Sequence, residues 1–142
     1  MAAITVTPGS VLRVDGEVAN GYLAGATITA GMAVYVDTAG AVQIATNASS
    51  SGSGVNSPRV GVALNGGSIG QPIQILGPGG TVNIGGTVAV GKEYKIGTAG
   101  GIIPVDDTAG TEWSTFLGMG ITTAQIKLSV NVSGVQAAGA VA

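Results

Sequence analysis

The apolar residues of this chain come in short runs, and glycine, asparagine, serine or proline soon interrupts each run. None keeps the i, i+3, i+4, i+7 spacing of an amphipathic helix, and each glycine inside a helix costs about 1 kcal/mol. Several runs alternate apolar with polar residues, which is typical of half-buried strands. The pattern predicts an all-β protein of antiparallel strands, with room for one helical turn near residues 112–115.

Turn-forming residues divide the chain into predicted strands. A hairpin is predicted over 27–45, because Asp37-Thr38-Ala39-Gly40 stands between two apolar runs. A second hairpin is predicted over 92–105, with later strands at 116–121 and 125–132. The runs between the hairpins favour an antiparallel meander, and they are 59–64, 71–76 and 81–84.

The first hairpin recurs sixty positions later, where TITAGMAVYVDTAGAVQIA at 27–45 is matched by TVAVGKEYKIGTAGGIIPV at 87–105. With a slightly shorter offset, VGVAL at 60–64 is matched by LGMGI at 117–121. Repeat arrays need about three units to bury a continuous core. The repeat therefore predicts an internal duplication within one compact β domain over 21–133, built from units at about 21–76 and 81–133.

Two interpretations of the N-terminal segment, residues 1–20, remain open. Its apolar residues alternate with charged ones, which predicts extended structure. It is either the first strand of the domain or an extended arm that adds a strand to the sheet edge of a neighbouring molecule. At the other end, residues 134–142 are small and apolar without a period, which predicts a flexible tail.

Charge is scarce in this 142-residue chain. Only 8 % of the residues are charged, against about 25 % in a typical protein, while 45 % are apolar. Solubility usually depends on interspersed charges of both signs. We therefore expect much of the surface to be covered in an assembly.

The same composition disfavours several other partners. The net charge is −2 and the five basic residues are scattered, so no stripe suited to nucleic acid is present. No apolar stretch reaches the ~20 residues of a membrane span, and the first ten residues do not resemble a signal peptide. We expect no direct nucleic-acid partner and no membrane association. The chain also lacks cysteine, so it forms no disulfides and has no thiolate metal site.

Two catalytic motifs match by accident. Gly66-Gly67-Ser68-Ile69-Gly70 fits the G-x-S-x-G nucleophile pattern, but the chain has no histidine to take the serine proton. The segment 86–92 resembles a phosphate-binding loop until Glu93 occupies the place of the serine or threonine that would meet magnesium. We therefore expect neither segment to be catalytic.

Three acids, Asp106, Asp107 and Glu112, are candidates for a hydrolase or a calcium site. Acids in a Thr- and Gly-rich loop more often serve as turn residues, so we expect no metal, no cofactor and no enzyme activity. A glycosidase would also need aromatic platforms. Trp113 is the most notable of the few aromatic residues, because tryptophan is enriched at the centre of interfaces.

Four segments together resemble the small capsid decoration proteins, or cement proteins, of tailed bacteriophages. These are GATITAGMAVYVDTAGAVQIA, RVGVALNGGSIGQPIQIL, GGTVNIGGTVAVGKEYKIGTAGGIIPV and the FLGMGITTAQIKLSVNV ending, which span about residues 21–133. The resemblance implies a β-barrel-like or β-tulip-like domain. The long Ser/Gly tract at 46–57 departs from the family.

The resemblance also implies a function. Such a protein binds the outer surface of the expanded phage head as an oligomer, commonly a homotrimer, and bridges neighbouring major capsid subunits. It would be made in the host cytoplasm and located on the virion. The residues that we expect at interfaces are Ile4, Val6, Val11, Leu12, Val14, Tyr22, Trp113 and Phe116. The alternative is a carbohydrate-binding or adhesin-like module of a phage tail or cell surface, which an exposed groove shared by Tyr22 and Trp113 would favour.

Overall fold

A computed structural model describes residues 4–48, 57, 59–105 and 113–136, with only the backbone described for 113, 114 and 131–136. These residues form β-strands and one 3-10 turn, Pro8–Ser10, and none of them is in an α-helix. The prediction of an all-β protein is therefore confirmed. The strands are β1 Leu12–Asp15, β2 Val18–Ala24, β3 Ala33–Val36, β4 Ala41–Ile44, β5 Val60–Ala63, β6 Pro72–Leu76, β7 Thr81–Asn83, β8 Glu93–Ile96, β9 Ile102–Pro104, β10 Trp113–Gly120 and β11 Gln125–Gln136.

The strands form a closed barrel and a second sheet. The barrel has the order β2-β4-β3-β5-β6 and closes on itself, while the sheet has the order β1-β7-β11-β10-β8-β9. This confirms the predicted barrel architecture. One pair differs from the fully antiparallel arrangement that we expected, because β2 and β4 run parallel where they close the barrel.

The predicted meander is correct only in part. β5 and β6 pair antiparallel as expected, but β7 leaves the barrel and pairs with β1 and β11 in the other sheet. The glycine-rich link between β6 and β7 carries the chain from one sheet to the other. It is fixed on the second sheet by hydrogen bonds from Gly79 N–H to Leu128 O (2.8 Å) and from Leu128 N–H to Gly80 O (2.7 Å).

The two units that the sequence repeat predicts have the same strand order. The barrel pairs β3–β4, β3–β5, β5–β6 and β2–β6 correspond to β8–β9, β8–β10, β10–β11 and β7–β11, and all eight are antiparallel. Only the closing pair β2–β4 has no counterpart between β7 and β9. The first unit is thus a closed barrel, and the second is the same arrangement left open.

Two glycines occupy matching places in these units. A Cβ added to Gly61 on β5 would fall on the carbonyl oxygen of Leu76, and a Cβ added to Gly118 on β10 would fall on the carbonyl oxygen of Lys127. In both units the paired strand lies so close at this point that only glycine fits. These are the glycines of the VGVAL and LGMGI segments, so the repeated letters mark a repeated contact.

Residues 4–7 lie in the opening of the second unit. Ile4 N–H donates to Ile102 O on β9 (2.9 Å), and Thr7 N–H donates to Gly85 O just after β7 (2.8 Å). A Cβ on Gly85 would lie 2.5 Å from the carbonyl oxygen of Thr7. The N-terminal segment therefore bridges the two strands that fail to pair with each other.

The N-terminal segment contributes a strand to a sheet of its own chain, and the alternative, an arm that adds a strand to a neighbouring molecule, stays a prediction. After the 3-10 turn, β1 pairs antiparallel with β7 and forms one edge of the sheet. At the other end of the chain, β11 continues to Gln136, so the first three residues of the predicted tail are strand. The rest of that tail lies outside the described residues.

The core has two parts. The smaller part fills the barrel, with Val34, Val36, Val42, Ile73 and Ile75 among its members. The larger part joins the outside of the barrel to the inner face of the second sheet. Strands β3, β5 and β6 contribute to both, which explains why β5 is buried at every residue. Both units contribute to this larger part, and its members from the two are Ala33, Val60, Val62, Leu76, Val82, Ile84, Tyr94, Ile96, Leu117, Ile126 and Leu128.

Asp37 organises the turn of the first hairpin. Its carboxylate accepts the N–H groups of Ala39 and Ala41 and the side-chain amide of Gln43, each at 2.9 Å. These bonds, that of Gln43 above all, lower the pKa of Asp37. Burial, with a smaller effect of the charge on Asp37, raises the pKa of Tyr35.

We expect the Asp37→Asn variant to be less stable than the wild type at pH 7, by an amount that shrinks in acid. A carboxyl whose folded pKa is depressed adds stability above its unfolded pKa and loses it as the pH falls through the folded value. The difference should therefore fade below pH 3.8, the ordinary pKa of aspartate. Urea midpoints at about pH 7 and about pH 2.5 measure this. A difference that stays constant between the two would contradict the assigned bonds.

Candidate functional site

The predicted interface residues of the N-terminal segment divide into two groups. Val11 is buried, and Ile4 and Val6 are half-buried against the larger core, so these three side chains pack within the domain. Leu12 and Val14 on β1 are instead 65 % and 46 % exposed. β1 is an edge strand of its sheet, and its pairing with β7 shifts between Arg13 and Asp15, so simple alternation does not hold Val14 to the same face as Leu12.

The predicted aromatic interface residues lie on separate sheets. Tyr22 is on β2 of the barrel, half-buried against the smaller core. Trp113 is the first residue of β10 in the second sheet, and its side chain lies outside the described residues. Phe116, further along β10, is 37 % exposed. The backbone thus places Tyr22 and Trp113 in different sheets, which gives no support to the groove that the carbohydrate alternative would need.

The outer face of the second sheet carries a charged and apolar surface that sequence reasoning missed. Met119 on β10 lies directly opposite Glu93 on β8 and Lys127 on β11. Residues directly opposite in antiparallel strands share a face, so the three form a row across the sheet. All three are exposed, Met119 by 42 %. We call Glu93, Met119 and Lys127 the β10 row.

A shallow depression of about 380 Å³ adjoins the β10 row. Gly118 contributes no side chain to it, and the close approach of the paired strand β11 to Gly118 explains why none is tolerated. Phe116 and Ser129 complete its lining, together with Glu93 and Met119. The depression therefore offers an aromatic ring, a thioether, a hydroxyl and a carboxylate within one sheet face.

Lys95 is a second feature that the sequence did not reveal. It lies on β8 opposite Phe116 and Ile103, and only 2 % of its surface is exposed. A lysine is rarely so buried unless its ammonium group has partners. At the sixty-residue offset Lys95 corresponds to Tyr35, and an aromatic residue at the matching position is the sequence signal that could have indicated burial.

Neither accidental motif has catalytic geometry. Ser68 lies in the exposed turn between β5 and β6, where its N–H donates to Gln71 Oε1 (2.7 Å). The nucleophile pattern instead requires a turn from a strand into a helix. Likewise, Gly91 and Lys92 lead straight into β8, so no helix N-terminus meets a phosphate there.

The candidate acidic cluster, Asp106, Asp107 and Glu112, lies outside the described residues. Within the described part of the chain, no group of three or more acidic residues is placed to hold a metal ion. No helix among the described residues is long and apolar enough to cross a membrane. The helical turn expected near 112–115 is absent from 113–115, which begin β10.

Comparison with known proteins gives no family. No protein-family model matches the chain. No curated protein sequence matches it at a significant level either.

Proposed function

We propose that this protein is a structural virion protein that binds the outer surface of an expanded phage capsid as an oligomer, a homotrimer in the family that it resembles. It would stabilise the shell by bridging major capsid subunits. This proposal rests on the sequence resemblance together with the exposed apolar edge strand β1.

The edge strand is the observation that carries the proposal. Leu12 and Val14 are largely exposed on the outermost strand of a six-stranded sheet. Edge strands of soluble proteins usually avoid such residues, because an exposed edge can pair with another chain. An apolar edge that is retained suits a partner that adds a strand or covers the face.

The rest of the surface supports covering by neighbours. Only 8 % of the residues are charged, while large apolar side chains remain exposed in several places. Where such side chains lie together, they commonly mark protein contacts. The exposed members outside β1 and β10 are Leu23, Ile69, Val90 and Ile121.

Binding would stabilise the shell by mass action. A ligand that binds only one state shifts the equilibrium toward that state by RT ln(1 + [L]/Kd). A protein that recognises only the expanded lattice therefore opposes its contraction and rupture. Because many symmetry-related sites act together, each copy needs to contribute little.

Co-sedimentation with shells of the phage that encodes the protein tests the proposal. We expect binding to expanded shells and none to unexpanded ones. In the Val14→Asp variant, binding should fall by roughly tenfold or more, since a charge is placed where an apolar contact is expected. Thr5→Asp, at another exposed position of the N-terminal segment, is the control and should bind normally. The proposal would be refuted if the protein sedimented with neither expanded nor unexpanded shells.

One observation favours the carbohydrate-binding alternative. The depression beside the β10 row combines the ring of Phe116 with the polar groups of Glu93 and Ser129. A few polar groups beside an apolar wall are the usual form of a small-ligand site. Strong and selective binding on a glycan array, abolished in Phe116→Ala, would favour this second function over the first.

A further inference from the structure

The charges of the β10 row have a definite order across three neighbouring strands. Glu93 on β8 is negative, Met119 on β10 is uncharged and apolar, and Lys127 on β11 is positive. Neighbouring strands lie about 4.8 Å apart, so the two charges stand about 10 Å apart on either side of Met119. Such a row has opposite charges at equal distances from its centre.

A row of this kind is complementary to itself. Consider a second copy placed face to face with the first. A two-fold axis that runs parallel to β10, between the two Met119 side chains, reverses the order of the three strands in the second copy. Glu93 then faces the second copy's Lys127, and Lys127 faces the second copy's Glu93. The two Met119 side chains meet at the axis. Isologous contacts of this form are the commonest in homo-oligomers.

We propose that the β10 row is a two-fold contact between two copies of this chain. Charge complementarity selects the second copy as the occupant, because one surface supplies both members of each ion pair. Opposed charges also disfavour other orientations, since like charges would then meet.

The surface beside the row suits this contact. The depression lined by Phe116 and Gly118 lies next to Met119, and a methionine side chain is flexible enough to enter an irregular hollow. Phe116 is 37 % exposed and would be covered from the same side. Aromatic residues and methionine are enriched in protein interfaces, whereas lysine and glutamate are depleted from their centres. The row has this arrangement, with its charges at the flanks.

This contact goes beyond the proposed capsid role and does not depend on it. It predicts a species of twice the 13.6 kDa monomer mass in the absence of any shell. If the chain also forms a homotrimer through other surfaces, the β10 row would join two such trimers into a hexamer. A protein that does not bind capsids can therefore still form this two-fold contact. A protein that does not self-associate through the β10 row can still bind capsids.

Charge reversal in two separate variants gives the sharpest test. In Glu93→Lys the contact would bring two pairs of positive charges face to face. In Lys127→Glu it would bring two pairs of negative charges face to face. We expect the association constant of each variant alone to fall roughly tenfold or more, as sedimentation equilibrium measures it. An equimolar mixture of the two variants should regain wild-type association, because the mixed pair restores both attractions. The double variant carrying both changes should also regain it.

The control for Glu93→Lys is Glu17→Lys. It makes the same change of net charge at an exposed residue outside the row, and it should associate as the wild type does. Thermal unfolding checks that each variant is folded. The proposal is overturned if the wild type stays monomeric at about 1 mM, the weak end of the affinity scale. It is equally overturned if the single variants associate normally, or if their mixture does not recover.

Discussion

Replacement of Gly61 by alanine is expected to lower the free energy of unfolding by about 3 kcal/mol, and Gly118→Ala by a similar amount. The added Cβ would fall on a backbone carbonyl oxygen of the neighbouring strand in each case, that of Leu76 or that of Lys127. Backbone cannot move aside as a side chain can, so the paired strands must separate. Denaturation in guanidinium chloride measures both losses.

Gly9→Ala is the matched control, because a Cβ at Gly9 would meet nothing within 4 Å. Its stability should stay within about 0.5 kcal/mol of the wild type. If Gly61→Ala were also neutral, the close approach of β6 to Gly61 would be contradicted. If only one of the two glycines proved sensitive, the two units would not share the contact that their strand order implies.

Removal of residues 1–7 should lower the free energy of unfolding by about 3 kcal/mol. The deletion takes away the backbone hydrogen bonds to Ile102 and Gly85, the bond from Ser10 N–H to Thr7 O, and the partly buried side chains of Ile4 and Val6. Each contact contributes on the order of 1 kcal/mol. Hydrogen exchange should show the loss of protection at β9, where the second unit opens, with β3 and β5 of the closed barrel unchanged.

Thr5→Ala is the control for the deletion. Its side chain is exposed, and the change leaves the backbone bonds on either side of it intact. It should be close to neutral. If the deletion were equally neutral, residues 4–7 would not complete the second unit, and the alternative of an arm directed to a neighbouring molecule would gain support.

The strands could be predicted from sequence because their signals are local. In the turn of the first hairpin, Asp37 accepts N–H groups and Gly40 adopts a positive φ of 87°. Both residues can be recognised as turn formers in the four-residue sequence 37–40. The second turn shares only the glycine requirement: Gly100 has a φ of 78°, while Gly97 stands where the first turn has Asp37. The shared turn residues predicted two units; the strand pairs of the two correspond, and the duplication itself stays a prediction.

The arrangement of those strands was not legible in the same way. The departure of β7 from the barrel depends on which edge offers it partners, β1 and β11, and both are distant in sequence. The closure of the second unit by residues 4–7 is equally non-local. The β10 row could not be predicted either, because irregular pairing between Phe116 and Gly118 sets which residues oppose Met119.

The most direct test of the proposed function is the temperature at which expanded shells rupture with and without the bound protein. Calorimetry or dye access to the packaged interior measures it. The account predicts a higher rupture temperature for expanded shells, rising with protein concentration until the sites are filled, and no shift for unexpanded shells. An unchanged rupture temperature at saturating protein would contradict the claim that this protein holds the shell together.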